Sequence, residues 1–210
     1  MNQTFICPTV TAFNPHDYRA QVEQLETFAT RIHIDLMDGQ FAPTLSPPLG
    51  QIWLPNRITS DIHLMYRQPM DYIKQLVDLM PNLVIIHSEA EVNFKDFADR
   101  LHQAGIKAGL ALLSETTVES CDQEIKYFDH VLIFSGKLGF HGGQADLGLL
   151  DKVNELHKKY EKLELSWDGG INDENAKKLI EAGISVLNVG GFIHNAVSPK
   201  QAYAKLLDII

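Results

Sequence analysis

The chain has 210 residues, 45% of them hydrophobic, which is enough to bury one large core with no sign of a second domain. A formal net charge of −9 argues against nucleic acid as a partner, and an anionic ligand would need local help from backbone amides or a metal. No stretch approaches the ~20 continuous apolar residues of a membrane span, and the start MNQTFICPTV lacks the basic and apolar regions of a secretory signal. The expectation is therefore a cytoplasmic protein with no membrane partner. Cys7 and Cys121 are far apart in sequence and are expected to be buried thiols rather than a disulfide.

Apolar, β-branched runs alternate with amphipathic segments along almost the whole chain. The runs predict strands at 5–10, 31–36, 60–65, 83–88, 107–113, 130–135, 163–168 and 185–190. Helices are expected near 16–30, 69–80, 93–104, 117–126, 146–160, 173–183 and 198–208, some with apolar residues at helical spacing such as Leu149, Leu150, Val153 and Leu156. Pro43, Pro47, Pro48 and Pro55 break the alternation over 40–59, where a long loop with a short helical turn is expected instead. Eight strands in this rhythm, with no glycine fingerprint after the first, fit a single-domain (β/α)8 barrel over 1–210 better than an open doubly wound sheet.

In such a barrel the strand C-termini open on one face, where active sites lie. HIDLMDG at 33–39 and DIHLM at 61–65 each carry a histidine on a strand, and LSWDGG at 165–170 ends a strand on an aspartate. His33 and Asp35 are two apart and must point the same way. With His63 and Asp168 they make two imidazoles and two carboxylates, a ligand set for one divalent ion with carboxylates placed to move protons beside it. Zn, Fe(II), Mn and Co all suit such a set. His87 ends the fourth strand nearby. Gly169-Gly170 and Gly190-Gly191 follow strands seven and eight, the usual phosphate position of a barrel, where bare backbone lets an anion approach. GFHGGQ at 139–144, containing Gly142 and Gly143, could fold over a substrate as a lid.

These motifs resemble those of the ribulose-phosphate 3-epimerase family. HIDLMDGQFAP is similar to its HxDxMDGxFxP signature, DIHLM to DxHLM, IIHSEA to FHxEA, GLALL to GLAL, WDGGI to VDGGI and NVGGFI to VxGSAIF, in the same order. The resemblance implies a metal held by His33, Asp35, His63 and Asp168, with Asp35 and Asp168 also the acid/base pair on opposite faces of the C3 carbon of a sugar phosphate. It further implies that Met37 and Met65 form an apolar wall, that Thr9 stands for the family's serine, and that the chain self-associates. This chain departs from the pattern at the lid, where Leu138 replaces a proline and His141 is added, and at Thr44, Phe134, Trp167 and Gly191. The metal set is intact and the substrate-facing residues are altered.

Other readings follow from the same residues. A different ketose phosphate, such as a hexulose 6-phosphate, would use every one of the catalytic groups. Lys137 after strand six could serve a Schiff-base aldolase. A barrel decarboxylase or hexulose-phosphate synthase would want an Asp-x-Lys-x-x-Asp run, which the chain lacks. A sugar-phosphate-binding protein without turnover is the non-enzymatic alternative.

Overall fold

Side chains alternate faces along a strand, so in a closed sheet every second residue enters the interior and the others meet the helices. The computed structural model describes residues 3–140 and 142–210 and shows this arrangement. Strands β1 (Phe5–Thr11), β2 (Arg31–Met37), β3 (Thr59–Met65), β4 (Leu83–His87), β5 (Lys107–Leu112), β6 (His130–Phe134), β7 (Glu164–Asp168) and β8 (Val186–Val189) pair in parallel. Their order follows the chain, and β8 closes back onto β1. Ile32, Ile34 and Leu36 of β2, Ile62 and Leu64 of β3, and Trp167 of β7 belong to the large outer core between sheet and helices. Trp167 is thereby turned out of the barrel as alternation requires, and its indole N–H donates to the Gly169 carbonyl at 3.0 Å.

The helices are α1 (Pro15–Leu25), α2 (Ile73–Leu79), α3 (Phe94–Gln103), α4 (Asp122–Ile125), α5 (Leu150–Lys159), α6 (Ala176–Glu181), α7 (Gly191–His194) and α8 (Pro199–Leu207). Several begin on sequence-legible caps: Asn14 accepts from the Asp17 N–H before α1, and Asn93 from the Asp96 N–H before α3. The helix expected over 16–30 stops at Leu25, and Thr27 Oγ1 then donates to the Gln24 carbonyl in the turn that follows. The proline-rich 40–59 segment holds only a 3₁₀ turn at Leu49–Gln51. Cys7 and Cys121 are free and buried. No helix among the described residues is long and apolar enough to cross a membrane.

Inside the barrel, Leu83, Ile85, Ala111 and Leu132 form the apolar middle. Gly109 is glycine for want of room, since a Cβ there would lie 2.8 Å from Ile85 Cγ1. The lower end is closed by charge. Arg31 Nε donates to Asp61 at 2.6 Å, and its two terminal nitrogens grip Glu164 at 3.0 and 2.9 Å. Glu164 also meets His130 Nδ1 at 2.8 Å, while Asn82 donates to the other Asp61 oxygen at 2.7 Å. The bidentate geometry and the added partners satisfy a charge network that would otherwise be expensive to bury.

Burial opposes the charge on Glu164, but His130 and Arg31 outweigh it and hold the carboxyl well below its ordinary range. The stabilisation is therefore full above the ordinary value of about 4.5 and is lost as pH falls toward the lower folded value. Thermal unfolding across pH should show Glu164→Gln with a flatter acid limb than the parent. Arg31→Met strands two carboxylates and should cost roughly 3–5 kcal/mol at neutral pH.

Candidate metal and proton-transfer site

The interior-facing residues of β2 run Arg31, His33, Asp35, Met37, so one strand contributes to the charged lower end, the ligand cluster and the cavity wall in turn. Register places Asp35 opposite His63 on β3 and Thr11 on β1, and Asp168 on β7 opposite Asn188 on β8. One ligand atom from each of His33, Asp35, His63 and Asp168 lies within 4.8 Å of all the others. His33 Nε2 stands 3.3 Å from Asp35 Oδ1 and 3.8 Å from Asp168 Oδ2, and His63 Nδ1 stands 2.9 and 3.9 Å from the same two oxygens. His33 and His63 are fully buried.

The donor set fits a divalent cation. Neither ring nitrogen of His33 has a hydrogen-bond partner among the described residues, although the ring is buried and Nε2 is aimed at two carboxylates. Burial, reinforced by neighbouring His87, holds His63 well below the ordinary histidine range, so its imidazole is neutral. Burial works against the charge on Asp35, but His33 and His63 overcome it and hold that carboxyl well below the usual range. Neutral imidazole and ionised carboxylate are the states that ligate a metal. Asp168 moves the other way, pushed up by burial and by the charge of Asp35.

A chain of contacts behind the cluster orients one of its imidazoles, that of His63. His63 Nε2 meets His87 Nε2 at 2.9 Å, and His87 Nδ1 faces Glu89 at 3.5 Å, with Thr116 donating to Glu89. Ligation through His63 Nδ1 selects the tautomer in which Nε2–H donates to His87, whose own Nδ1–H then points to the carboxylate. Thr11 Oγ1 donates to Asp35 Oδ2 at 2.5 Å, leaving Oδ1 toward the imidazoles.

Asp35 and Asp168 of the cluster form the floor of a cavity of about 290 Å³ at the C-terminal mouth of the barrel, with the two imidazoles buried behind them. Thr9, Met37, Met65, Gly142, Gly143, Gly169, Gly170, Gly190 and Gly191, singled out from sequence, all line it. Met37 and Met65 pack with Ala42, Phe41 and Leu138 as an apolar wall. The segment after β6 covers the mouth: Thr44 Oγ1 reaches both Met37 Sδ at 3.0 Å and the Gly139 carbonyl at 2.9 Å. Lys137 lies in this segment with its ammonium 4.6 Å from the centre of the Phe140 ring. His141 lies outside the described residues.

The structure separates two kinds of glycine that sequence treats alike. Gly169 and Gly170 have φ of +112° and +69°, and a Cβ on either would collide with the backbone of the lid segment, at Gly136 and Ala145. Fold alone therefore accounts for both. Gly191 has no such constraint, and a Cβ there would meet nothing closer than 3.5 Å. Alternation also carries two polar groups to the site that the motif reading passed over, Thr11 and Asn188, each two residues from one it included.

Titration of metal-stripped protein with Mn(II) or Zn(II) should saturate at one equivalent. His33→Ala should weaken that binding by orders of magnitude, and His87→Phe should weaken it by roughly 10–100-fold because it removes the partner that orients His63.

Against known proteins, residues 5–194 match the model of the Ribulose-phosphate 3 epimerase family. The chain is 31% identical to the ribulose-phosphate 3-epimerase of Schizosaccharomyces pombe, over 98% of this chain and 93% of that one. It is 30% identical to that of Helicobacter pylori, over 92% and 93% of the two chains. Among solved structures, a 3-hexulose-6-phosphate synthase from Salmonella typhimurium superposes with a TM-score of 0.75 at 12% identity, covering 98% of this chain and 97% of its own. A 3-keto-L-gulonate-6-phosphate decarboxylase from Vibrio cholerae gives 0.74 at 10% identity over 100% and 97%. At that identity the two structures attest the barrel alone. The family match spans the cluster, both glycine loops and the cavity they enclose, and by it this chain belongs to the ribulose-phosphate 3-epimerase family.

Proposed function

We propose that the protein inverts C3 of a ketose phosphate, interconverting D-ribulose 5-phosphate and D-xylulose 5-phosphate. It would act as a single-domain enzyme that self-associates in the cytoplasm and holds one divalent ion on His33, Asp35, His63 and Asp168. The observation that carries the reading is the convergence of two buried imidazoles with two carboxylates that line a cavity whose rim is glycine loops.

The carbon next to a ketone is too weak an acid for a free carboxylate to deprotonate quickly. When bound, the ion supplies positive charge against the negative charge that develops on the substrate oxygens as C3 loses its proton. Inversion then needs two proton carriers, one for each face. Asp35 and Asp168 are the two carriers: one removes the C3 proton to give the enediolate, and the other returns a proton to the opposite face. The roles exchange in the reverse direction. Thr11 fixes which Asp35 oxygen is free, and the Met37–Met65 wall gives the planar enediolate an apolar, polarisable surface. The phosphate would lie against the backbone of the loops after β7 and β8, beside Gly170, Gly190 and Gly191.

A second reading, epimerisation of a hexulose 6-phosphate, is favoured by the altered wall, where Leu138 packs against Met37 and Met65 and Phe134 lines the cavity. Competition between the two substrates separates them. The complete cluster argues against a binding protein without turnover, and Lys137 on the Phe140 ring argues against a Schiff-base lysine.

Asp35→Asn and Asp168→Asn should each reduce epimerisation of D-ribulose 5-phosphate to background with the fold retained by circular dichroism. Near-parental turnover in either variant contradicts the role given to that aspartate. Gly191→Ala should leave metal content and thermal stability near the parent's, since the fold has room for a Cβ there, yet raise the apparent KM for the phosphorylated substrate. An unchanged KM would show that the phosphate does not approach this backbone.

A further inference from the structure

Asn188 is 1% exposed, and neither its amide oxygen nor its amide nitrogen has a hydrogen-bond partner among the described residues. Burying an amide without partners is costly, and an apolar side chain of the same size would avoid the penalty. Its strand neighbours show that apolar packing is available: Val186, two residues earlier on the same face, is buried, and Cys7 is its register partner on β1. The amide is therefore a poor residue for stability at this place.

Its position explains what it is for. Asn188 lines the cavity, in register with Asp168 on β7 and two residues before Gly190. It stands between the carboxylates that would work on C3 and the glycine loop that would take the phosphate. A carboxamide offers an acceptor oxygen and an NH2 with two donor hydrogens and carries no charge, so a hydroxyl, which both donates and accepts, can engage both ends, whereas a phosphate or a carbonyl uses the donor alone. Resting on the epimerase reading above, we propose that Asn188 is a specificity-determining residue that hydrogen-bonds the substrate hydroxyl lying between the reacting carbon and the phosphate, the C4 hydroxyl of a pentulose 5-phosphate. Unmet in the protein by itself, the amide is satisfied by substrates that carry this hydroxyl and left buried and unpaired by those that do not.

The test compares D-ribulose 5-phosphate with its 4-deoxy analogue on the metal-loaded parent and on Asn188→Leu, by kcat/KM and by calorimetric Kd. The parent should prefer the hydroxylated compound by roughly 10–100-fold, the ratio expected for one buried, unpaired amide. In Asn188→Leu the preference should fall below about 3-fold, and the ligand-free variant should melt higher than the parent. Asn188→Val serves in the same role should the leucine variant not fold. An undiminished preference in the variant, in both kcat/KM and Kd, overturns the assignment. Absence of turnover by the parent, with the hydroxyl preference present in Kd and lost in the variant, would instead contradict epimerisation and support Asn188 as the hydroxyl reader.

Discussion

The molecule is organised by how the barrel interior, from which water is largely excluded, accommodates charge. Alternation sends Arg31, Asp61, Glu164 and His130 inward at one end and Asp35, Asp168, His33 and His63 inward at the other. At the lower end a guanidinium lies between the carboxylates and every strong group is paired, so the charges lock the strands together. At the upper end no lysine or arginine pairs with either aspartate among the ion pairs of the described residues. The carboxylates there face His63, held neutral by burial, and His33, where burial is outweighed by Asp35 and Asp168, which raise its affinity for a proton. Burial and the charge of Asp35 make Asp168 hold its own proton more tightly. The contrast turns one end of a symmetric scaffold into a structural closure and the other into a donor set that could hold a cation.

From this follows the division of labour among neighbouring groups. His87 and Glu89 fix the orientation of His63, and Thr11 fixes that of Asp35, so the ligand atoms are aimed before any ion or substrate arrives. Above them, Thr44 ties Met37 to the Gly139 carbonyl, joining the cavity wall to the segment over its mouth. That link crosses two of the positions where this chain departs most from its family's pattern, Thr44 and the lid. Of the other departures, Phe134 and Gly191 line the cavity and Leu138 packs on its methionine wall, whereas Trp167 lies in the outer core.

The barrel and the meeting of His33, Asp35, His63 and Asp168 were both legible in the sequence because each depends on short-range periodicity. A two-residue spacing is enough to put His33 beside Asp35, and the apolar runs are enough to count eight strands. Three things were not legible, for physical reasons. The glycines of the β7 loop looked like an anion cradle, but their positive φ and the lid backbone packed on them require glycine whatever binds there, and only three-dimensional crowding reveals it. The Arg31–Glu164 pair joins residues 133 apart in sequence, which no local pattern announces. Thr11 and Asn188 lie on strands whose interior face was known, yet their significance comes from what their polar atoms meet among the described residues: a carboxylate oxygen for one, no partner for the other. Helix ends were the least legible elements, as with α1 ending at Leu25.

The central claim is that two aspartates on different strands carry protons to opposite faces of one carbon. It is tested most directly by running the metal-loaded protein on D-ribulose 5-phosphate in D2O and following C3 by NMR from the first turnovers. The account predicts that D-xylulose 5-phosphate forms with deuterium already at C3, while remaining D-ribulose 5-phosphate acquires it more slowly. Product that keeps the original C3 proton, or a protein that catalyses no exchange at C3, would contradict it.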